Sequence, residues 1–273
     1  MWNNNFGIKQ TFNNYEEPED NKFGNALAAT GQAHYHELFQ PLTPGFLAVE
    51  PTLEAVQQAA KETKLAAVMI ECVQGEGGVV PLDPAFVQSL RAFTEENDIL
   101  LIVDEVQTGN GRTGSLYAYM QYGIQPDVVT TAKGLSGGLP LGATLLNEKT
   151  QHVLGFGDHG STFGGNPISC AAACYVLSQI DDALLQDVRE KGELLRTLFA
   201  DAPGIESVSG LGLMLGLKTT RPAADVVADC LQKGVLCLTA KDKVRLLPAL
   251  NIPRDVLEQA AKIIVECCNP VER

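Results

Sequence analysis

ILLIVDEVQTGNGRTG, residues 99–114, decides how this chain is read. Five apolar residues, Ile99 to Val103, run without a break into Asp104 and Glu105, and a glycine-rich turn follows. Continuous rather than alternating apolarity marks a strand buried on both faces, as in a parallel sheet. The same texture recurs upstream in AAVMI (66–70) and downstream in DVVTTA (127–132). Between the first two runs lies DPAFVQSLRAFTEEN (83–97). There Asp83 can cap a helix, Pro84 suits its first position, and Phe86, Val87, Leu90 and Phe93 share one helical face. The unit is strand, helix, strand, with run starts about 30 residues apart, the length a right-handed crossover needs. The expectation is an α/β fold with a mostly parallel central sheet and helices on both faces.

Further along, GNPISCAAACYVLSQI (165–180) reads as a helix capped by Asn166 with Pro167 in its first turn. ALLQDVREKGELLRTLF (183–199) is a second amphipathic helix, VSGLGLMLGL (208–217) is strand-like, and RDVLEQAAKIIVECC (254–268) is a final helix. These features predict a large domain over 23–180 and a smaller α+β domain over 181–273. The first 22 residues hold six of the thirteen asparagines and a Glu-Glu-Pro-Glu-Asp run, with neither strand nor helix periodicity. They read as an unrelated, disordered leader.

Composition narrows the function. Lysine and arginine total 20 against 33 acidic residues, a formal charge of −13. Such a surface repels phosphate backbones and anionic lipid, which disfavours nucleic acid and membrane partners. The 45% hydrophobic content is ordinary for a folded domain. No apolar run approaches the roughly 18 to 20 residues of a membrane span, so a cytoplasmic protein is expected. The seven cysteines form no paired CxxC clusters and are expected as buried free thiols, with no metal site.

In open parallel sheets, ligands bind beyond the carboxyl ends of the strands. The polar residues there are Glu71, Asp104 with Glu105, and Lys133. A lysine desolvated in such a crevice has a lowered pKa, and its neutral amine can attack a carbonyl. A buried aspartate beside it can hold a pyridinium nitrogen protonated. Together they meet the needs of pyridoxal 5'-phosphate chemistry, although a capping or solvated acid and a surface lysine in a glycine-rich loop explain each residue singly.

Five motifs then occur in order: IECVQGEGGVVPLD (70–83), LLIVDEVQTGNGRTG (100–114), PDVVTTAKGLSGGLPLGA (126–143), HGSTFGGNPISCAAA (159–173) and VRLLPALNIP (244–253). Over about residues 24–268 the chain resembles the class III (subgroup II) pyridoxal phosphate aminotransferases, a fold type I family. LAATGQ (27–32), HGSTFGGNP and VRLLPALNI are most similar to its acetylornithine-type members. The resemblance implies amino transfer from N2-acetylornithine to 2-oxoglutarate in arginine biosynthesis, with ornithine, succinylornithine or 4-aminobutyrate as alternative donors.

By that resemblance Lys133 is the Schiff-base lysine and proton carrier, and Asp104 pairs with the pyridine nitrogen. Gln107 hydrogen-bonds the cofactor's phenolic oxygen, and Val106 packs a ring face. Thr162 matches the threonine that reaches across a homodimer interface to the partner's cofactor phosphate. Arg245 matches an arginine that clamps a substrate carboxylate, for which a planar guanidinium fork is suited. Glu71 is aligned with the glutamate that pairs with that arginine and swings away when a dicarboxylate binds. Without the resemblance, packing explains Val106, a capping turn explains Thr162, and structural ion pairs explain Arg245 and Glu71.

Two departures stand out. The proline usual after Glu71 is Cys72 here. The phosphate-cradling Gly-Ser/Thr loop and the ring-stacking aromatic that precede LAATGQ in complete members are not found, and Phe23-Gly24 sits too close to LAATGQ to supply the aromatic segment. The chain therefore reads as an N-terminally truncated member, with weakened cofactor retention and impaired catalysis as the expectation.

Overall fold

The computed structural model describes residues 6–10, 27–31, 36–37 and 39–269. Its larger sheet is built from β1 (Phe6–Gln10), β2 (Phe46–Val49), β3 (Leu65–Ile70), β6 (Leu100–Asp104), β7 (Val128–Thr131) and β8 (Ala143–Leu146). The spatial order is β2-β1-β3-β6-β7-β8. The pairs β3–β6 and β6–β7 are parallel, while β1 runs against both neighbours and β8 runs against β7. Four of the six strands thus share one direction, and the three apolar runs at 66–70, 99–103 and 127–132 are its parallel centre.

Helix α1 (Leu53–Glu62) precedes β3, and α2 (Pro84–Glu96) carries the crossover from β3 to β6. Asp83 accepts from the Ala85 and Phe86 amides at 2.6 and 3.2 Å, and Pro84 opens the helix. These are the groups that would otherwise be orphaned at a helix start. Val87 and Leu90 are fully buried against Val68, Ile70, Leu101 and Val103. Removing each such side chain from water is worth about 1.5–3 kcal/mol, so this face anchors the sheet. In register, Val68 lies opposite Leu101 and Ile70 opposite Val103. Strand alternation therefore turns Met69, Ile102 and Asp104 to the other face. Burial there is weaker than on the helix-covered face, since Met69, Ile102 and Val128 are only half-buried.

Two expectations change. Within the leader, Phe6–Gln10 is a strand inserted between β2 and β3. Pairing with non-local neighbours supplies the backbone hydrogen bonds that local patterning does not announce. The rest of residues 1–22, like Phe23-Gly24, falls outside the described residues. The run 208–217 is a hairpin of two strands, β9 (Ile205–Leu211) and β10 (Met214–Thr219), reversing at Gly212 with φ +52°. A non-glycine residue there would be strained, and an added β-carbon would meet the Thr113 carbonyl carbon at 2.6 Å.

The smaller sheet is antiparallel in the order β11 (Leu238–Ala240), β12 (Lys243–Leu246), β10, β9. Helices α4 (Asp182–Ala200), α5 (Ala223–Gln232) and α6 (Arg254–Cys268) enclose a core with β10 and β12, centred on Leu195, Phe199, Leu215, Leu217 and Val244. The β9–β10 turn docks on the loop after β6. The Leu213 amide donates to the Arg112 carbonyl at 3.1 Å, and Arg112 Nη1 donates to the carbonyls of Leu213 and Pro248. Helix α3 (Pro167–Gln179) is capped by Asn166 as expected and holds the turn at Lys133–Ser136, whose Ser136 hydroxyl donates to the Ser169 carbonyl at 2.8 Å. All seven cysteines are free thiols, but they are not all buried: Cys170 and Cys237 are half-buried and Cys174 is exposed. Among the described residues no single helix is long and apolar enough to cross a membrane.

Candidate active site

The sheet order brings three strand ends side by side. Glu71 follows β3, Asp104 ends β6 and Lys133 follows β7. Asp104 is 3% exposed. Its Oδ1 accepts from the Val106 amide at 2.8 Å and the Thr130 hydroxyl at 3.1 Å. Among the described residues no donor engages Oδ2. Burial pushes the Asp104 pKa up, opposed by those two donors and by the Lys133 charge. Glu105, one residue on, alternates to the opposite face and serves the fold: Oε1 accepts from the Tyr119 amide at 2.8 Å and Oε2 from the Thr108 hydroxyl at 2.5 Å.

Lys133 sits at φ +47°, a left-handed conformation that costs a non-glycine residue free energy. Asn110 secures the backbone just before it, with Nδ2 donating to Thr131 Oγ1 and the Ala132 carbonyl, both at 3.1 Å. Although residue 133 as a whole is exposed, desolvation of its amine pulls the pKa below the ordinary lysine value, against the attraction of Asp104, Glu71 and Glu76. Lowering favours the neutral, nucleophilic amine.

Arg245, on β12, is 7% exposed. Its partner is Glu76 rather than Glu71, which corrects the pairing drawn from sequence: Nη1 lies 2.5 Å from Glu76 Oε1. The same Nη1 reaches Gln107 Oε1 at 3.4 Å, and among the described residues the buried Nε has no partner. Glu71 instead accepts from the Gly75 amide at 3.2 Å. Burial, reinforced by the charge of Asp104, pushes its pKa up to about 8. The physical reason for the exchange is the short hairpin of β4 (Val73–Gln74) and β5 (Val80–Pro81). It turns the chain back after Glu71 and carries Glu76 to β12.

Lys133, Val106 and Gln107 line one cleft of about 880 Å³, together with Asn110, Arg112 and Tyr175. Thr162 is exposed on the 150–166 segment and is not among the residues lining this cleft. Sequence reasoning missed Glu76 and Asn110. Both stand inside motifs already singled out, but their roles depend on partners 169 and 21 to 22 residues away.

A lysine with a lowered pKa and a buried aspartate stand at adjoining strand ends of the α/β sheet, and the buried Arg245 of the smaller sheet is close enough for its charge to act on that lysine. Residues 22–268 match the family model for aminotransferase class-III, and the chain belongs to that family. It is 48% identical over 243 residues to acetylornithine aminotransferase of Haemophilus ducreyi, covering 88% of this chain and 62% of that protein. Against acetylornithine aminotransferase of Aquifex aeolicus it is 40% identical, over 97% of this chain and 70% of the relative. In structure it is similar to ornithine aminotransferase from Toxoplasma gondii, with TM-score 0.82, 31% identity, and 89% and 61% of the two chains covered. The N-acetylornithine aminotransferase of Stenotrophomonas maltophilia gives TM-score 0.75 and 32% identity, over 82% of this chain and 62% of that one. The chain thus spans less than two thirds of the length of most of these relatives.

Proposed function

We propose that the chain carries out pyridoxal-5'-phosphate-dependent amino transfer, with N2-acetylornithine as amino donor and 2-oxoglutarate as acceptor, in arginine biosynthesis. The observation that carries this reading is the placement of Lys133 and the buried Asp104 carboxylate at adjoining strand ends, near enough for each charge to act on the other. That donor set fits the cofactor: an amine to bond its carbonyl, and a desolvated anion beside a ring nitrogen. The buried, unpartnered Nε of Arg245 is an open donor of the kind a carboxylate satisfies.

When bound, pyridoxal phosphate supplies an electron sink for the carbon that bears the reacting amine. The chain's own residues do the rest. Lys133 Nζ takes and returns the proton at that carbon. Asp104 would keep the ring nitrogen protonated. Gln107 would donate from Nε2 to the ring oxygen, and Val106 would pack on the ring face. Arg245 holds a substrate carboxylate, and Glu76 occupies Arg245 until a diacid displaces it. One pocket then accepts both a basic acylated amino acid and a 2-oxo diacid, the gating role that sequence alone had given to Glu71.

Thr162 serves a neighbouring subunit in a homodimer. Helix α3 is apolar on all sides yet buries only Ser169 and Ala173. Ile168 and Tyr175 on the helix, and Phe156 and Phe163 in the segment before it, are exposed. A helix apolar all round calls for cover. We assign residues 23–180 to a cofactor domain and 181–273 to a small domain, and the cytoplasm as the compartment. Ornithine is the second reading for the donor, because the Toxoplasma gondii ornithine aminotransferase has the higher TM-score of the two structures compared. The test is to add pyridoxal phosphate to the purified chain and compare it with Lys133→Ala. Visible absorbance of the lysine-bound cofactor, lost in the variant, is expected, and equal absorbance in both would overturn the assignment. Rates with acetylornithine and ornithine then rank the donors.

A further inference from the structure

Gly75 stands in the turn between β4 and β5, and its backbone is held on both sides. Its amide donates to Glu71 Oε2 at 3.2 Å, while its carbonyl accepts from the amides of Gly78 and Val79 at 3.4 and 3.2 Å. A β-carbon built on it would fall on the Gln107 carboxamide, 2.5 Å from Cδ and 2.7 Å from Nε2, and would overlap Oε1 as well. Real β-carbons do not approach heavy atoms this closely, and the colliding group is the free end of a side chain. Any residue larger than glycine would therefore displace the Gln107 amide rather than the fold. The same amide meets Arg245, whose Nη1 lies 3.4 Å from Oε1. A guanidinium only donates, so Oε1 must face it and Nε2 is left as the outward donor.

We infer that Gly75 is a positioning residue for the reaction: by having no side chain it seats the Gln107 carboxamide between the turn and Arg245, with Nε2 presented to the cofactor's ring oxygen. This rests on the function proposed above for its chemical meaning, but the seat itself is a property of the chain alone. It also joins two halves of the site. Arg245 Nη1 spans Glu76 and Gln107, so the arginine that receives a substrate carboxylate is the group that orients the amide facing the ring.

The test is a double-mutant cycle on the full chain, with Gly75→Ala, Gln107→Ala and both together, since coupling energies appear only between groups that touch. In thermal unfolding without cofactor, Gly75→Ala lowers Tm by about 2–4 °C, and by less than half of that in the Gln107→Ala background, where the obstructed amide is gone. With pyridoxal phosphate added, Gly75→Ala moves the pH midpoint of the visible absorbance in the same direction as Gln107→Ala, and the double variant moves it no further than Gln107→Ala. Equal Tm losses in both backgrounds overturn the seat. So does an unmoved pH midpoint in Gly75→Ala where Gln107→Ala shifts it. Absence of cofactor absorbance from every variant and from the unmutated chain would overturn the proposed function instead, and the cofactor-free arm would still decide the seat.

Discussion

Replacing Glu76 by glutamine tests the central electrostatic claim, that a buried arginine is held by a displaceable internal carboxylate. The Arg245 side chain is 7% exposed and that of Glu76 is 31% exposed, with 2.5 Å between them. Breaking a fully buried pair costs about 3–5 kcal/mol and an exposed one about 0–1. Glutamine keeps the shape and one acceptor, and Glu76 is a third exposed, so an intermediate loss of about 1–2 kcal/mol follows. At roughly 2–4 °C per kcal/mol for a chain of this size, Tm falls by about 2–8 °C. A diacid faces the opposite balance. In the unmutated chain its carboxylate must first displace Glu76, and in Glu76→Gln that cost is gone. One or two kcal/mol corresponds to about 5–30-fold, so glutarate, an unreactive five-carbon diacid, binds the variant tighter by that factor. Thermal unfolding at increasing glutarate concentration reads both quantities through the linked shift in Tm. Arg245→Met serves as the control that should ignore glutarate. If Glu76→Gln leaves Tm unchanged and binds glutarate no better, Glu76 does not occupy Arg245.

Two further outcomes follow from the same structure. Burial raises the Glu71 pKa to about 8 and that of Glu105 to about 7, from an ordinary 4.5. Between those values the native state holds protons that the unfolded chain has released, so stability falls as pH rises from about 5 to 8 and levels off above. Urea unfolding across pH 5–9 should show that slope, reduced in Glu71→Gln and in Glu105→Gln, whereas stability rising through this window contradicts it. For the assembly, Phe156 and Phe163 are exposed in the segment that leads into α3. Sedimentation should give a dimer that Phe156→Glu with Phe163→Glu converts to monomer, and a chain that sediments as monomer before mutation rejects the interface.

Much of this protein can be read in its sequence because the relevant physics is local. A continuous apolar run, an aspartate followed by proline, and a polar residue at the end of a strand each state their structural role within a few positions. That is why the parallel centre at β3, β6 and β7, the caps at Asp83 and Asn166, and the strand-end positions of Asp104 and Lys133 were legible. Glu71 and Glu76 show the limit. They share one motif and one chemistry, and nothing within that motif tells which meets an arginine 169 residues further on. The β4–β5 hairpin and the docking of the two sheets make that choice, since a salt bridge needs atoms within a few ångströms that only packing brings together. The strand at Phe6–Gln10 is a similar case, invisible in a sequence without periodicity and created by its pairing to β2 and β3. Sequence alone determined which chemical groups stand at the strand ends. Tertiary structure alone decided which of them touch, because contact between distant residues is set by the packing of whole elements and not by the identity of their neighbours in the chain.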